Sequence, residues 1–372
     1  MPAVKVAPNV WWVGAVDYKV RDFHGYRTPY GTTYNAYLIT GAKTVLIDTV
    51  KHDFADELLR NISEVADPAK LDLIVSNHVE PDHSGSLPEI VALNPNTPVI
   101  TSPNGIKGLK AYYKQDWNFK VVKSGESVPV GDCTIQFLLT PMVHWPDSMA
   151  SYIPEHKLLI PNDAFGQHTA NAERFADEIG IDCIFDRAKN YYANIVMPFG
   201  QPVLKVLEEV KKLDVEIIAP SHGAIWRTDL PRILQKYEDW ASYRTDPKQA
   251  VIAYDTMWGS TGVLAGRIAS ELKTKGMDVK VISLRQEHIS EVVGEALEAS
   301  VICLGSPTLN RGMMPQMAAL LHYMKGLGFK GRKGRAFGSW GWSGESVGLI
   351  DVAMKDMGFE LEEMLRVQYK PD

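Results

Sequence analysis

The stretch His78-Val79-Glu80-Pro81-Asp82-His83 places four side chains of metal-ligand type within six residues, directly after the apolar run Leu71 to Val75. That run reads as a buried strand, and Ser76-Asn77 turns the chain out of it. Ligands at the end of a buried strand sit on rigid scaffolding. Alternate residues of an extended segment point to opposite sides, so His78 and Glu80 are expected to face one metal while Asp82, followed at once by His83, faces a second. A polar loop entering a capped helix competes with this reading, because Ser84, Gly85 and Glu89 suit a helix start. Four potential ligands in six residues weigh against it.

Further donors come at wide intervals. His144 lies in Pro-Met-Val-His-Trp-Pro-Asp-Ser, Asp163 in Leu-Ile-Pro-Asn-Asp-Ala-Phe-Gly, and His222 in Ile-Ala-Pro-Ser-His-Gly. Asp163 and His222 each follow an apolar run that reads as a strand, and His144 follows Cys133 to Leu139 after a short turn. A lone histidine of this kind is more often a structural residue, but the repeated strand-end placement favours a shared mouth.

Together these residues resemble the metallo-β-lactamase superfamily, whose ligand loop reads HxHxDH and is followed by a later His, a bridging Asp and a final His. Glu80 stands where the zinc hydrolases carry a second His, and this departure matches the flavodiiron protein family, which reads HxExDH. A carboxylate is a harder, anionic donor than imidazole and favours iron over zinc. The resemblance implies one iron held by His78, Glu80 and His144, a second by Asp82, His83 and His222, and Asp163 bridging them. Asp48, Trp145 and Asp147 are candidates for orienting the ligands.

At 372 residues the chain has room for two domains, and 45% hydrophobic with 23% charged residues is ordinary for a globular protein. A net charge of −6 argues against a general nucleic-acid binder. The N-terminus lacks a secretory pattern and no apolar run is long enough to span a bilayer, so a cytoplasmic protein is expected, with no membrane role. Cys133, Cys183 and Cys303 are isolated, which fits reduced thiols, and without a CxxC pair no rubredoxin-type iron site is built in.

In chain order, Val10 to Val16 and Tyr37 to Thr40 read as strands, and Lys43 to Asp48 pairs with the latter as a hairpin. Phe54 to Val65, Ser86 to Leu93 and Pro202 to Lys212 read as helices, two short strands lie between Lys120 and Leu139, and the pattern after Asp163 turns helical through Tyr192 to Asn194. The polar join Thr245 to Lys248 sets a boundary, giving an N-terminal metallo-β-lactamase-like αββα sandwich over 1–248 and a second domain over 249–372. His52, His156, His168, His288 and His322 read as surface residues. By resemblance, His24 and Tyr192 come near the open side of the iron pair.

The second half opens with the strand Val251 to Asp255 and the loop Thr256-Met257-Trp258-Gly259-Ser260-Thr261 before a helix. Unpaired backbone N–H groups and the helix dipole make such a loop an anion cradle. There is no P-loop lysine and no GxGxxG. The hydroxyls instead resemble the FMN phosphate loop of flavodoxins. Two later strand-end loops, Ser306-Pro307-Thr308-Leu309-Asn310-Arg311 and Ser339-Trp340-Gly341-Trp342-Ser343-Gly344, fall at the same edge of a doubly wound parallel sheet. Trp340 is expected to flank the flavin ring. The strand candidate Leu361 to Tyr369 is followed only by Lys370-Pro371-Asp372, so the usual final helix is expected to be missing, by truncation. The basic run Lys325 to Arg335 reads as a solvated turn.

The resemblance to flavodiiron proteins covers essentially the whole chain. It implies an oxidoreductase with FMN and two non-haem irons that reduces dioxygen to water, nitric oxide to nitrous oxide, or both. It further implies an external electron donor such as rubredoxin or a reduced deazaflavin, and a head-to-tail homodimer. The alternatives are a binuclear zinc hydrolase with an appended flavodoxin module, which Glu80 opposes, and an electron carrier with a structural N-terminal domain.

Overall fold

A computed structural model describes residues 2–371, which group into two compact units. The first comprises the chain through Phe23, Thr28–Ala188 and Gln201–Glu238; the second comprises His24–Arg27, Lys189–Gly200 and the chain from Asp239 on.

The first unit contains a seven-stranded and a five-stranded sheet. In the larger, the strands run in the order Val4–Ala7, Val10–Trp12, Tyr37–Ile39, Val45–Ile47, Leu73–Val75, Val99–Thr101 and Phe119–Val121. In the smaller the order is Ser127–Pro129, Thr134–Leu139, Met149–Ile153, Leu158–Ile160 and Ile217–Ile218. Side-chain alternation decides which residue goes where. Tyr37, Ile39, Val45, Ile47 and Val75 join Ile135, Phe137, Met149 and Ile160 in one apolar cluster between the sheets. Leu38, Leu46 and Ile74 face the other way, against Leu58 and Ile62 of helix Ala55–Ser63, Ile90 of helix Leu87–Leu93 and Leu109 of helix Pro103–Tyr113. Because both faces are covered, these central strands are apolar at every position.

The strand expected over Val10 to Val16 is interrupted. It divides into Val10–Trp12 and Ala15–Asp17, the latter pairing with Thr32–Tyr34 in a separate ribbon. Gly14 sits at the break, where a Cβ would stand 2.2 Å from the Tyr34 carbonyl oxygen. Only glycine permits that approach. After Asp163 the helical pattern also begins later than expected, with Ala176–Ile179 and Ile181–Tyr191, and then a π-helical turn at Tyr192–Val196.

The second unit is a parallel sheet in the order Asp278–Ser283, Asp246–Tyr254, Ala299–Gly305, Lys333–Trp340 and a split edge strand. The edge expected as one strand from Leu361 to Tyr369 is two pieces, Glu360–Leu361 and Leu365–Gln368, both pairing with Lys333–Trp340. Helices Ser260–Thr274, Ile289–Ala296, Pro315–Leu327 and Glu345–Asp356 form the crossovers. Among the described residues no helix follows the split strand. The basic run is not wholly solvated: Arg332 is buried and donates to the carbonyls of Leu297 and Lys330. No helix among the described residues is long and apolar enough to cross a membrane, and Cys133, Cys183 and Cys303 are free thiols.

Candidate di-metal centre and cofactor cavity

His78 and Glu80 leave strand Leu73–Val75 in extended backbone, but the expectation of a continuous extended loop fails at Pro81. Pro81–Ser84 is a helical turn, with the N–H groups of His83 and Ser84 both donating to the Glu80 carbonyl. Proline suits a first helical position because its missing N–H would be unpaired there. The turn matters for the site. In extended chain the consecutive side chains of Asp82 and His83 would diverge, whereas a helical turn lets both reach one place. Asp48 fixes the start of the loop by accepting from the backbone and side-chain N–H groups of Asn77 at 2.7 and 2.9 Å. Burial raises the Asp48 carboxyl to about 6 despite the nearby His83 and these hydrogen bonds.

The seven expected ligands converge as two groups, six of them buried and His144 nearly so, with 10% of its side chain exposed. In the first, Nε2 of His78 lies 3.2 Å from Glu80 Oε2 and 3.6 Å from Asp163 Oδ2, while Nε2 of His144 lies 3.4 and 3.2 Å from the same two oxygens. In the second, Asp82 Oδ2 is 3.4 Å from His83 Nε2 and 3.1 Å from His222 Nε2, and Asp163 Oδ1 is 2.9 and 3.6 Å from those nitrogens. Donors about 2.1 Å from one ion stand about 3.0 to 3.4 Å apart at octahedral to tetrahedral angles. Asp163 turns one oxygen to each group, the arrangement of a bridging carboxylate.

The donor set fits metal ions better than it satisfies itself. Both oxygens of Asp82, Nε2 of His83 and Oδ1 of Asp163 are buried without a hydrogen-bond partner. Buried polar atoms are seldom left so, and a cation among them would satisfy all four. Without metal the cage holds protons instead. Burial opposes charging His78, yet its hydrogen bonds to Asp147 and Glu80 and the charge of Asp163 raise it to about 10. His144, against Asp163 and Glu80, is likewise raised to about 10, and His83, near Asp82 and Asp163, to about 9. Burial alone would raise Glu80 and Asp163, but their histidine neighbours hold both below the ordinary carboxylate range.

A surrounding layer orients the ligands. Asp147 Oδ2 pairs with His78 Nδ1, and the Trp145 ring meets His78 edge-on at 5.1 Å. His222 Nδ1 donates to the Thr33 carbonyl at 2.7 Å, which turns Nε2 toward the centre. Gly223, at φ 78°, leaves no room for a Cβ, which would lie 2.4 Å from the Gln167 carbonyl oxygen. His168 corrects the sequence expectation. It is buried rather than on the surface, 4.9 Å ring to ring from His222, with Nδ1 2.7 Å from Thr32 Oγ1. Its sequence neighbours gave no sign of this. His24 is exposed at φ 53°, and Tyr192 is buried in the π-helical turn with its ring 5.2 Å from Trp240.

In the second unit, the loops after strands Asp246–Tyr254, Ala299–Gly305 and Lys333–Trp340 enclose a cavity of about 610 Å³. Met257, Trp258, Ser260, Pro307, Thr308, Leu309, Asn310, Arg311, Ser339, Trp340, Gly341 and Trp342, all from the three loops singled out in the sequence, line it. Four other residues expected to bind cofactor, Thr256, Gly259, Thr261 and Ser306, make contacts within and between these loops. Thr256 Oγ1 accepts from the Gly259 N–H, and Gly259 turns at φ 89° into helix Ser260–Thr274. Thr261 is buried against Ser339 Oγ at 3.1 Å, and Ser306 Oγ accepts from the Met314 N–H. Ser343, in the third of these loops, also lines the cavity, and so does Tyr369, which was not expected there. Tyr369 follows the split strand, whose carboxyl end lies at the same sheet edge, and its N–H donates to the Trp340 carbonyl. The volume is that of a small-molecule pocket. Trp258 and Trp342 stand 93% and 92% exposed at its rim, bare aromatic surface suited to a planar ring.

Residues 32–223 match a family described as ODP family beta lactamase, and residues 252–372 match flavodoxin. The chain is 44% identical over 363 residues to a nitric oxide reductase of Moorella thermoacetica, covering 96% of this chain and 91% of that protein. Among solved structures, the rubredoxin oxygen:oxidoreductase of Desulfovibrio gigas superposes with a TM-score of 0.96 at 40% identity, over 100% of this chain and 94% of its own. The flavodiiron protein of Giardia intestinalis gives 0.97 at 31% identity, over 100% and 92%.

Proposed function

Because the chain belongs to the flavodiiron protein family, we propose that it takes electrons through FMN to a di-iron centre and reduces dioxygen, nitric oxide or both. The observation that carries this reading is the shared Asp163, one oxygen directed to each buried ligand group. The balanced reactions are dioxygen with four electrons and four protons to two waters, and two nitric oxides with two electrons and two protons to nitrous oxide and water.

Bound iron and FMN would supply redox chemistry that no amino-acid side chain has. The chain's own residues hold and orient. His78, Glu80 and His144 would hold one iron, Asp82, His83 and His222 the other, and Asp163 would fix their separation. Glu80 supplies a hard oxygen donor, which favours iron over zinc. Asp147 and the Thr33 carbonyl lock the tautomers of His78 and His222. In the second unit, the start of helix Ser260–Thr274 suits the FMN phosphate, and Trp340 with its neighbours suits the ring. His24 and Tyr192 are taken as catalytic groups by the family resemblance, and π-helical turns such as that of Tyr192 often serve function. The functional domains are taken as 1–248 and 249–372.

The same reading takes rubredoxin, or a reduced deazaflavin, as the external donor, and places the protein in the cytoplasm, where free thiols persist. Electron transfer requires the flavin near the irons, which a head-to-tail homodimer would provide. The test is metal and flavin content per chain from iron-supplemented, anaerobically handled protein, followed by parallel oxygen and nitric oxide consumption. Two irons, one FMN and gas consumption are expected. Tightly bound zinc with ester hydrolysis would overturn the reading.

A further inference from the structure

His168 and Thr32 form a buried pair behind the ligand group of Asp82, His83 and His222. Thr32 Oγ1 lies 2.7 Å from His168 Nδ1, 3.5 Å from His222 Nδ1 and 3.3 Å from the Thr33 carbonyl, the acceptor for His222. The His168 ring is tilted 57° against that of His222, and Phe23 packs on both, 4.7 Å from His168 and 5.8 Å from His222. His222 therefore has its ring plane set by neighbours that include Phe23 and His168 as well as Tyr34 and His83, and its Nδ1 set by Thr33, with the Thr32 hydroxyl joining the two restraints.

The counterpart restraint on the first group is different in kind. There His78 is held by a carboxylate, Asp147, and by the edge of Trp145. A carboxylate anchors an imidazole strongly by charge. A carbonyl is a weaker anchor, so packing and a neutral hydroxyl become the means of holding His222.

We propose that His168 and Thr32 are positioning residues for His222, acting selectively on the metal position built from Asp82, His83 and His222. This rests on the di-iron reading given above and extends it to residues that touch neither metal position directly. Loss of such an outer partner typically weakens metal binding about 10- to 100-fold. The loss should fall on one position of the pair, because Thr32 and His168 bear on His222 and on the Thr33 carbonyl that accepts from it.

The test is the rate at which each iron leaves the purified holoprotein to a ferrous chelator, measured anaerobically. Thr32→Val and His168→Leu should each speed one phase of release about 10-fold or more and leave the other near wild type. The faster phase should be the one that Asp82→Asn also speeds. His168→Asn, which can keep a nitrogen near the Nδ1 position, should restore most of the wild-type rate. Unchanged release in Thr32→Val and His168→Leu overturns the proposal. Equal acceleration of both phases together with a lowered Tm also overturns it, since that is what loss of core packing alone would give. A wild-type protein that holds no pair of irons overturns the reductase reading itself, before any variant is made.

Discussion

Asp147 Oδ2 accepts at once from His78 Nδ1 at 2.9 Å and from the backbone N–H of Val79 at 2.7 Å, so one carboxylate oxygen fixes both a ligand's tautomer and the loop that carries it. Replacing Asp147 with Leu should weaken iron at the His78, Glu80 and His144 position about 10- to 100-fold. Asp147→Asn, which keeps an acceptor oxygen, should lose less. Iron content after dialysis against a graded chelator series would check both.

Glu80→His converts the loop to the all-nitrogen pattern of zinc hydrolases. With equal iron and zinc in the growth medium, the variant should take up zinc where the wild type takes iron, because imidazole is the softer donor. Elemental analysis would read the exchange, and gas reduction should fall with iron content.

Metal loading should expel protons. In the metal-free fold His78, His83 and His144 are held at about 10, 9 and 10, above the ordinary 6.5 of an unfolded histidine. These raised values stabilise the metal-free fold fully below about pH 6.5, and that stability is lost as pH rises through 9 to 10. A cation needs neutral imidazoles, so affinity should rise with pH over the same window. Titrating metal into metal-free protein near pH 7.5 in buffers of different ionisation enthalpy would count the protons released, with about three expected from these residues.

Gly223→Ala forces a side chain into a φ of 78° and into the Gln167 carbonyl. A cost of about 1 to 3 kcal/mol is expected. Because His222 immediately precedes it, iron loading should fall along with the Tm. Paired thermal melts and iron analysis would show both changes.

Trp340→Leu should weaken FMN about 10-fold, the equivalent of about 1.4 kcal/mol of lost ring contact. The iron content should not change, since the residue belongs to the cavity of the other unit. Flavin fluorescence on dilution would measure the affinity.

The ligand types and their order along the chain were legible in the sequence because strand-end donors after apolar runs are a local signal. His78, Glu80, Asp82, His83, His144, Asp163 and His222 could be named with no knowledge of their distances. The three loops of the flavodoxin-like sheet were legible for the same reason, each following an apolar run. What tertiary structure decided was anything set by approach between distant segments. That Asp163 gives one oxygen to each group depends on where strands far apart in sequence place His83 and His144. Pro81–Ser84 became a helical turn because proline suits a first helical position, and Gly14 broke a strand by close backbone approach, neither of which periodicity carries. His168 shows the limit most plainly. Its neighbours in the chain look like a surface loop, and only the packing of Phe23, Thr32 and His222 around it makes it part of the centre.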